Sequence, residues 1–476
     1  GGPVRQADLT NHYQKLARTP LLIGMDLEWG LAMRLDSTMR FPKQMTLGAL
    51  ESDSLITAMG LEIAREMKLL GVHVSFSPVA DVNNNPANPV INDRSFGEDR
   101  ELVARKSIAY MKGLQQGGVI ATAKHFPGHG DTQGDTHREI PRVDKSLSEL
   151  REQDLRPFQS AIDAGVDLIM TSHILYPQLD SQHPATLSSI ILQDLLRTEM
   201  GFEGVIISDS MNMGAIVHHY SPATAAVLAL KAGINMIMLS EEHYDHSDSY
   251  LDKQFAMIHG IMAAVATGDL DEAVIDAALA RILAFKLAKL VPMALYQPTD
   301  MAANQQVANR CANQALTWLR QVPELGEGPF YVLNATPATS YHNLTNPRGI
   351  GPNQREPAFD HFLAALDQGA RRVLSVTPEQ LATVGDDWLL VVTEHHPLPG
   401  EDFAQGEAQA LVRRLSREVE KLIVVALRSP YDLLGYPDVR YYLCSHSARP
   451  ESARAAAKVL NGTLATQHSR AVSLVS

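Results

Sequence analysis

Short apolar runs separated by helical patterns dominate the first 290 residues of the chain. Each run lasts about five or six residues and is nearly continuous in apolar character; the runs span 20–25, 72–77, 119–123, 166–171, 204–208 and 234–239. Such runs are typical of strands that are buried on both faces of a parallel sheet. The stretches 55–70, 101–116 and 145–164 between them are long enough for crossover helices. The alternation predicts an α/β domain.

Polar residues just past the ends of these runs indicate which α/β fold is present. Asp26, Asp81, His173, Asp209 and the segment 124–137 each follow or end a run. The carboxyl ends of the strands meet at one mouth in a barrel, whereas they spread along an edge in an open sheet. No glycine-rich dinucleotide fingerprint follows any run. The pattern therefore predicts a TIM-type (β/α)8-like barrel over residues 1–290.

A second alternating pattern follows a proline-containing segment. Residues 291–299 contain Pro292 and Pro298 and are predicted to be a linker, followed by a helix over 300–319. Further apolar runs span 330–335, 372–376, 388–393, 422–427 and 439–444, with helical stretches at 405–421 and 452–460. We predict a linker and helix over 291–320 and a smaller α/β sandwich domain over 321–476.

Composition excludes several classes of protein. A net charge of -13 argues against a nucleic-acid binder, because phosphate contacts need a basic surface. No apolar run approaches the roughly 20 residues of a membrane span, and no metal-binding motif is present. The two cysteines, Cys311 and Cys444, are expected to be buried thiols. We therefore expect no metal and no membrane span, and the oligomeric state stays open.

The chain begins with Gly1-Gly2-Pro3, which resembles the interior of a loop. A preceding segment is therefore expected, and a targeting signal could belong to it. The compartment stays open between periplasm and cytoplasm.

The segment 124–137 concentrates groups that can transfer protons. It contains three histidines, two aspartates, one lysine and three glycines. Hydrolysis of a glycoside with retention needs a carboxylate that attacks the anomeric carbon and an acid that protonates the leaving oxygen. Asp209, at the end of a buried run, is a candidate for the carboxylate, although an aspartate there could equally be a helix N-cap. Asp135 and His137 could form a carboxylate–imidazole proton donor, or could belong to a solvated loop.

Other polar residues near the predicted mouth could bind a sugar. Lys124 and His125 end a buried run, where each needs a hydrogen-bond partner, and sugar hydroxyls would serve. Asp26 could accept bonds from hydroxyls. Arg34 and Arg94 lie in polar loops, where an isolated arginine is more often a surface charge.

Taken together, these segments resemble the family 3 glycoside hydrolases, and within them the β-N-acetylglucosaminidases. The resemblance rests on Lys-His-Phe-Pro-Gly-His-Gly at 124–130 with Asp-Thr-His at 135–137, on Arg-Ser-Phe-Gly-Glu-Asp at 94–99, and on Ser-Asp at 208–209. It implies that Asp209 is the nucleophile and that His137 is the acid/base, activated by Asp135. The residues that it implies for binding of N-acetylglucosamine are Asp26, Arg34, Arg94, Lys124 and His125. It implies no cofactor, a carbohydrate substrate and an α/β sandwich as the second domain.

The chain departs from the family pattern in two places. Residues 26–32 are Asp-Leu-Glu-Trp-Gly-Leu-Ala, where the family usually has Asp-Gln-Glu-Gly-Gly-Arg-Val. Trp29 is expected either to be core or to offer a stacking face at the mouth. The family's first barrel strand would precede residue 1, so the resemblance also predicts a barrel that is open at one seam, with low stability or a covering partner.

The resemblance leaves alternatives open. Family 3 β-glucosidases typically carry Ser-Asp-Trp at the nucleophile, whereas this chain has Ser-Asp-Ser at 208–210. Phosphate could replace water as the acceptor, which would make the protein a phosphorylase, or the chain could be an inactive sugar-binding module. For a hydrolase, the candidate substrates are cell-wall muropeptides with terminal N-acetylglucosamine and chitin oligosaccharides.

Overall fold

The computed structural model describes residues 2–134, 140–240, 249–290, 302–344, 354, 356–396, 406–467 and 470–472. Two sheets organise these residues. The first sheet lies within the first 210 residues, and the second is built from residues beyond 316.

The first sheet consists of β1 (Gly24–Met25), β2 (Val74–Ser75), β3 (Ile120–Phe126), β4 (Leu168–Thr171) and β5 (Val205–Ile207). All neighbouring pairs are parallel, and the strand order is the same as the chain order. Each strand coincides with one of the first five predicted runs, although β3 extends to Phe126, three residues beyond its run. The sixth run pairs through a single parallel bridge, Ile207 to Met236. Sequential parallel order is that of a TIM-type barrel, because a doubly wound sheet reverses its order.

Helices connect these strands, as the pattern predicted. They are α1 (Pro3–Leu16), α2 (Gln44–Gly48), α3 (Ser54–Leu69), α4 (Arg100–Gln116), α5 (Leu147–Glu152), α6 (Arg156–Asp163), α7 (Gly214–Val217), α8 (Pro222–Ala232), α9 (Ser249–Thr267) and α10 (Glu272–Lys289), with a π-helix at Ile190–Glu199. The stretch 145–164 contains two helices instead of one. Pro157 lies in the first turn of α6, where its missing N–H costs nothing; inside one long helix it would remove a backbone hydrogen bond.

The second sheet consists of β6 (Thr317–Trp318), β7 (Phe330–Asn334), β8 (Val373–Ser375), β9 (Trp388–Thr393), β10 (Leu422–Ala426) and β11 (Tyr441–Cys444). Its order is β6-β11-β10-β9-β7-β8, and all pairs are parallel except β6 with β11. The helices are α11 (Ala302–Gln314), α12 (Ala358–Leu366), α13 (Gly406–Glu418) and α14 (Pro450–Leu460). Separate apolar clusters cover the two faces, one with Phe362 of α12 and the other with Val412 of α13. The predicted α/β sandwich is thus confirmed.

The region between the two sheets differs from its prediction in one respect. The helix α11 ends at Gln314, and the chain then enters β6, so the predicted helix to residue 319 is too long. Thr317 is buried, and residues 317 and 318 pair with β11, which outweighs their weak helical preference. The predicted linker 291–299 lies outside the described residues.

The two halves of the chain share buried contacts. Near the carboxyl end, Ala471 and Val472 pack into the apolar core of the first half. Thr46 of α2 donates its hydroxyl to the carbonyl of His446, at 2.9 Å. Trp29 belongs to the core, which was one of its two interpretations. Its side chain is 2% exposed, and the cations of Lys43 and Arg449 lie 5.1 and 5.6 Å from the centroid of its ring.

Cys311 and Cys444 are free and buried, as expected. Within the described ranges, no helix combines the length and apolar character needed to cross a bilayer.

Candidate active site

The polar residues predicted to meet at the mouth follow the carboxyl ends of β1, β3 and β5. Asp26 comes directly after β1, Lys124 and His125 lie near the end of β3, and Asp209 lies two residues beyond β5. The ladder between β3 and β4 shifts register between Lys124 and Phe126. Because of this irregularity, the consecutive side chains of Lys124 and His125 contact different partners at the same mouth.

Lys124 joins two carboxylates. Its Nζ lies 3.0 Å from Oδ1 of Asp26 and 2.9 Å from Oε1 of Glu28. Burial by itself lowers the pKa of Lys124, but the charges of Glu28 and Asp26 outweigh burial and raise the pKa above its usual value. Lys124 is therefore a buried, permanently charged ammonium group.

Each of the two carboxylates also binds an arginine. Nη2 of Arg34 lies 2.5 Å from Oδ2 of Asp26, and Arg94 contacts Glu28 through Nε at 3.0 Å and Nη2 at 2.7 Å. Burial opposes ionisation of both acids, but Lys124 together with the paired arginine holds each pKa well below its usual range. Both predicted loop arginines are thus part of the cluster and are not isolated surface charges.

Glu28 was not predicted as a site residue. It lies two positions after Asp26, and alternate residues of an extended segment project to the same side. This spacing is the signal by which the sequence could have revealed it.

Asp81 holds His125 in place. Its carboxylate accepts the backbone N–H groups of His125 and His129, the latter at 2.7 Å, and lies 2.7 Å from Nδ1 of His125. Burial raises the pKa of Asp81, but His125, His129 and these hydrogen bonds outweigh burial and bring the pKa below its usual value. Asp81 is therefore ionised. A carboxylate at Nδ1 keeps the proton there and orients the imidazole ring. Asp81 was noted at the end of its run but was not predicted as a site residue.

His129 is a neutral imidazole beneath the mouth. Its Nδ1 lies 2.9 Å from Oγ1 of Thr132, and its ring packs edge-on against His125 at 5.6 Å. Burial and the neighbouring His125 lower the pKa of His129 to about 4. Its place is structural support for His125.

Asp209 is a partly exposed carboxylate that is kept ionised. The amide of Ser210 donates to its Oδ1 at 2.7 Å. Burial opposes ionisation, but His125 and His173 outweigh it and lower the pKa of Asp209. His173 is itself held, with Nε2 2.9 Å from the carbonyl of Ser210 and Nδ1 2.9 Å from the hydroxyl of Thr186.

The alternative interpretation of Asp209 as a helix N-cap is wrong. The next helix, α7, begins at Gly214 and has Met213 at its N-cap position. Asp209 therefore caps no helix, and its carboxylate belongs to the mouth.

In its described part, the segment after β3 is held by a hydrogen bond and by close packing against residues 82–88. Asn88 donates its amide to the carbonyl of His129 at 2.9 Å, and Gly130 packs so closely on the carbonyl of Val82 that a side chain there would collide. Asp135 and His137, the predicted acid/base pair, lie outside the described residues.

The cluster is suited to an uncharged, hydroxyl-rich ligand. The three cations of Lys124, Arg34 and Arg94 exceed the two carboxylates of Asp26 and Glu28 by one charge, and such paired groups offer both donors and acceptors. Asp209 adds an ionised carboxylate at the same mouth. Among the residues with described positions, no group of three or more metal-ligating side chains is found.

Comparison with known proteins places the chain among glycosidases. The N-terminal domain of glycosyl hydrolase family 3 matches residues 3–285. A beta-hexosaminidase from Nitrosomonas eutropha is 39% identical over 256 residues, which cover 52% of this chain and 73% of that protein. Beta-hexosaminidase A from Pseudoalteromonas piscicida is 35% identical over 301 residues, and the match spans only 50% of its length.

Solved structures agree with this over the whole chain. A glycoside hydrolase family 3 beta-N-acetylglucosaminidase from Paenibacillus is 30% identical with a TM-score of 0.83, covering 100% of this chain and 91% of that one. A beta-glucoside phosphorylase, 21% identical with a TM-score of 0.84, shares the fold. The family model alone covers more than half of the chain, and it confirms the resemblance found in the sequence. The chain belongs to glycoside hydrolase family 3.

Proposed function

We propose that the chain is a retaining exo-β-N-acetylglucosaminidase with Asp209 as its nucleophile. The observation that carries the proposal is the position of the Asp209 carboxylate. It lies beyond the end of a buried strand, ionised, at the same mouth as a cluster of paired cations and carboxylates. Rigid attachment to a strand suits a nucleophile, because attack on an anomeric carbon needs a fixed direction of approach.

The mechanism is a double displacement. Asp209 attacks the anomeric carbon and forms a covalent glycosyl-aspartate, while His137, oriented by Asp135, gives a proton to the leaving oxygen. His137 then takes a proton from water, which attacks the same carbon and releases the sugar. The low pKa of Asp209 supports this role, since the nucleophile must be unprotonated at neutral pH.

The cluster around Lys124 binds the terminal sugar. The carboxylate of Asp26 accepts bonds from ring hydroxyls, and Lys124, Arg34, Arg94 and His125 donate to sugar oxygens. The buried carboxylate of Glu28 holds Lys124 and Arg94 in place. Asp26 already binds cations, so a hydroxyl that joins it completes a charge-assisted bond without burying an unpaired charge.

The names of the relatives support an acetamido sugar. Those from bacteria are called beta-hexosaminidases, and the Paenibacillus structure is called a beta-N-acetylglucosaminidase. We propose muropeptides that carry terminal N-acetylglucosamine as the natural substrates, with chitin oligosaccharides as the main rival. Hydrolysis rates of the two, measured side by side, decide between them.

The first experiment compares 4-nitrophenyl N-acetyl-β-glucosaminide with the plain β-glucoside. We expect cleavage of the acetamido sugar and its loss in Asp209→Ala, by roughly four orders of magnitude or more. Azide should restore turnover of that variant and yield the α-glycosyl azide, because the azide takes the place of the nucleophile. Asp269→Ala, at an exposed aspartate paired with Lys231, is the matched control and should keep full activity. Cleavage of the glucoside alone would contradict the proposed sugar.

The acid/base role of His137 has its own signature. His137→Ala should slow substrates with poor leaving groups far more than 4-nitrophenyl or dinitrophenyl glycosides, which need little protonation. His259→Ala, at an exposed histidine of α9, is the control. Equal losses on activated and unactivated substrates would refute the role. Formation of N-acetylglucosamine 1-phosphate in phosphate buffer would show that phosphate, and not water, is the acceptor.

A further inference from the structure

A short turn of the first half of the chain carries a buried ion cluster directly beside the proposed sugar site. The 3₁₀ turn Asn92–Arg94 places Arg94 on Glu28, while the preceding residue, Asp93, binds elsewhere. Lys43 contacts both carboxylate oxygens of Asp93, at 2.9 and 3.1 Å. One peptide unit thus separates a sugar-site arginine from an independently anchored aspartate.

The second anchor of Asp93 comes from the second half of the chain. Arg428, two residues beyond β10, donates Nε to Oδ2 of Asp93 at 2.9 Å and Nη1 to the carbonyl of His395 at 2.8 Å. Both Arg428 and Asp93 are buried. The guanidinium therefore joins the turn to the backbone that follows β9 in the second half of the chain.

A second contact runs parallel to this one. Tyr431, three residues after Arg428, accepts the side-chain amide of Asn83 on its hydroxyl, at 2.8 Å. Asn83 lies two residues after Asp81, the carboxylate that holds His125. One short segment, 428–431, thus contacts both segments of the first half that carry partners of the site.

We infer that Arg428 of the second domain is a positioning residue for Arg94, acting through Asp93. The inference rests on the proposed function for its consequence in catalysis, because Arg94 is assigned to the sugar only there. Arg428 itself touches no substrate. It fixes the backbone of the turn, and the turn fixes the guanidinium that binds Glu28.

The physical reason is that a three-residue turn has little stiffness of its own. In the turn, the amide of Arg94 donates to the carbonyl of Ile91 at 2.8 Å, and the amide of Ser95 donates to the carbonyl of Asn92 at 3.1 Å. The buried and ionised carboxylate of Asp93 needs cations around it, so removal of Arg428 leaves Asp93 to shift toward Lys43. A displacement of about 1 Å in a positioning group can cost on the order of a hundredfold in rate.

The test uses the full chain with Arg428→Gln, Arg428→Lys and the control Arg440→Gln. Arg440 lies in the same domain and is exposed, and its guanidinium donates to the side chain of Gln321 in that domain at 2.8 Å. For 4-nitrophenyl N-acetyl-β-glucosaminide we expect Arg428→Gln to raise KM roughly tenfold, with a smaller fall in kcat. Arg428→Lys should recover part of the loss, because lysine keeps the positive charge but lacks the planar guanidinium that donates to two groups at once.

A second variant separates positioning from general damage. In an Arg94→Ala background, Arg428→Gln should change KM no further, because the group that it positions is absent. Amide hydrogen exchange of residues 92–96 should speed up in Arg428→Gln, while that of β3 stays as in the unaltered chain. Additive effects on KM in the double variant would overturn the inference, even if the melting temperature falls.

Hydrogen exchange also distinguishes the two hypotheses. If the unaltered chain cleaves no N-acetylglucosaminide, the proposed function fails. The link from Arg428 to the turn is then judged by exchange and by calorimetric binding of N-acetylglucosamine. Unchanged exchange at 92–96 in Arg428→Gln overturns the inference, whether or not the chain is active.

Discussion

The buried carboxyl group of Glu66 should make the stability of the protein fall as pH rises. It lies on α3, is 1% exposed, and accepts a bond from the amide of Asn304 on α11. Burial raises its pKa to about 8, with Arg65 opposing and Glu62 adding to the rise. Arg65 also holds Asn304 in place, with its Nη2 2.6 Å from the amide oxygen.

The direction of the pKa shift of Glu66 determines whether the free energy of unfolding rises or falls with pH. The pKa of Glu66 rises from the ordinary 4.5 to about 8, so the folded protein keeps a proton that the unfolded chain releases between these values. Stability should therefore fall as pH rises from about 4.5 to 8 and stay reduced above 8. The shift of about 3.5 units, at about 1.4 kcal/mol per unit, gives a cost of at most about 5 kcal/mol.

Glu66→Gln should remove this cost, because the amide keeps the shape and stays neutral. We expect the variant to match the unaltered chain near pH 5 and to melt several degrees higher at pH 8.5, measured by thermal unfolding at matched ionic strength. Glu199→Gln, at an exposed glutamate paired with Arg151, should leave the pH dependence as it is. Equal melting temperatures of Glu66→Gln and the unaltered chain at pH 8.5 would refute the reasoning.

Three further predictions concern the mouth and its support. Glu28→Gln should lower kcat/KM for the N-acetylglucosaminide by roughly tenfold or more in steady-state assays, because it leaves two buried cations short of a carboxylate. Gly130→Ala should strongly reduce soluble or active protein, since a Cβ would lie 1.6 Å from the carbonyl of Val82, whereas Gly406→Ala meets no atom within 4 Å and should be tolerated. Burial raises the pKa of Asp154 to about 6, so Asp154→Asn should flatten the fall in melting temperature between about pH 4 and pH 6.

Much of the fold was visible in the order of apolar runs. All five strands of the first sheet coincide with predicted runs, because a strand buried on both faces must be apolar at nearly every position. The end of β3 was missed, because Lys124 and His125 interrupt the apolar pattern. The short β6 was missed. Its two residues continue a helical pattern, and only pairing with β11 makes them a strand.

The candidate site was predicted in part. Asp26 and Lys124 meet as expected, because residues at the ends of parallel strands share one mouth. Arg94 lies in a short turn, and only the resemblance to the family implied its place in the site. Glu28 and Asp81 were missed as site residues. Their partners, Arg94 and His125, lie far away in the sequence, so neither ion pair could be predicted from local pattern. The one local signal was the spacing of Glu28 from Asp26.

The sequence by itself determined the succession of strands, the concentration of chemistry in the segment after β3 and the family to which the chain belongs. These depend on local composition, periodicity and motifs, all of which can be observed directly in the amino-acid sequence. Only the tertiary structure decided which charges neutralise one another: the bridge of Lys124 between two carboxylates, and the contact of Arg428 with Asp93 across 335 positions of sequence. Burial makes an unpaired charge costly, so the partners are set by the distances that folding creates and not by their spacing in the chain.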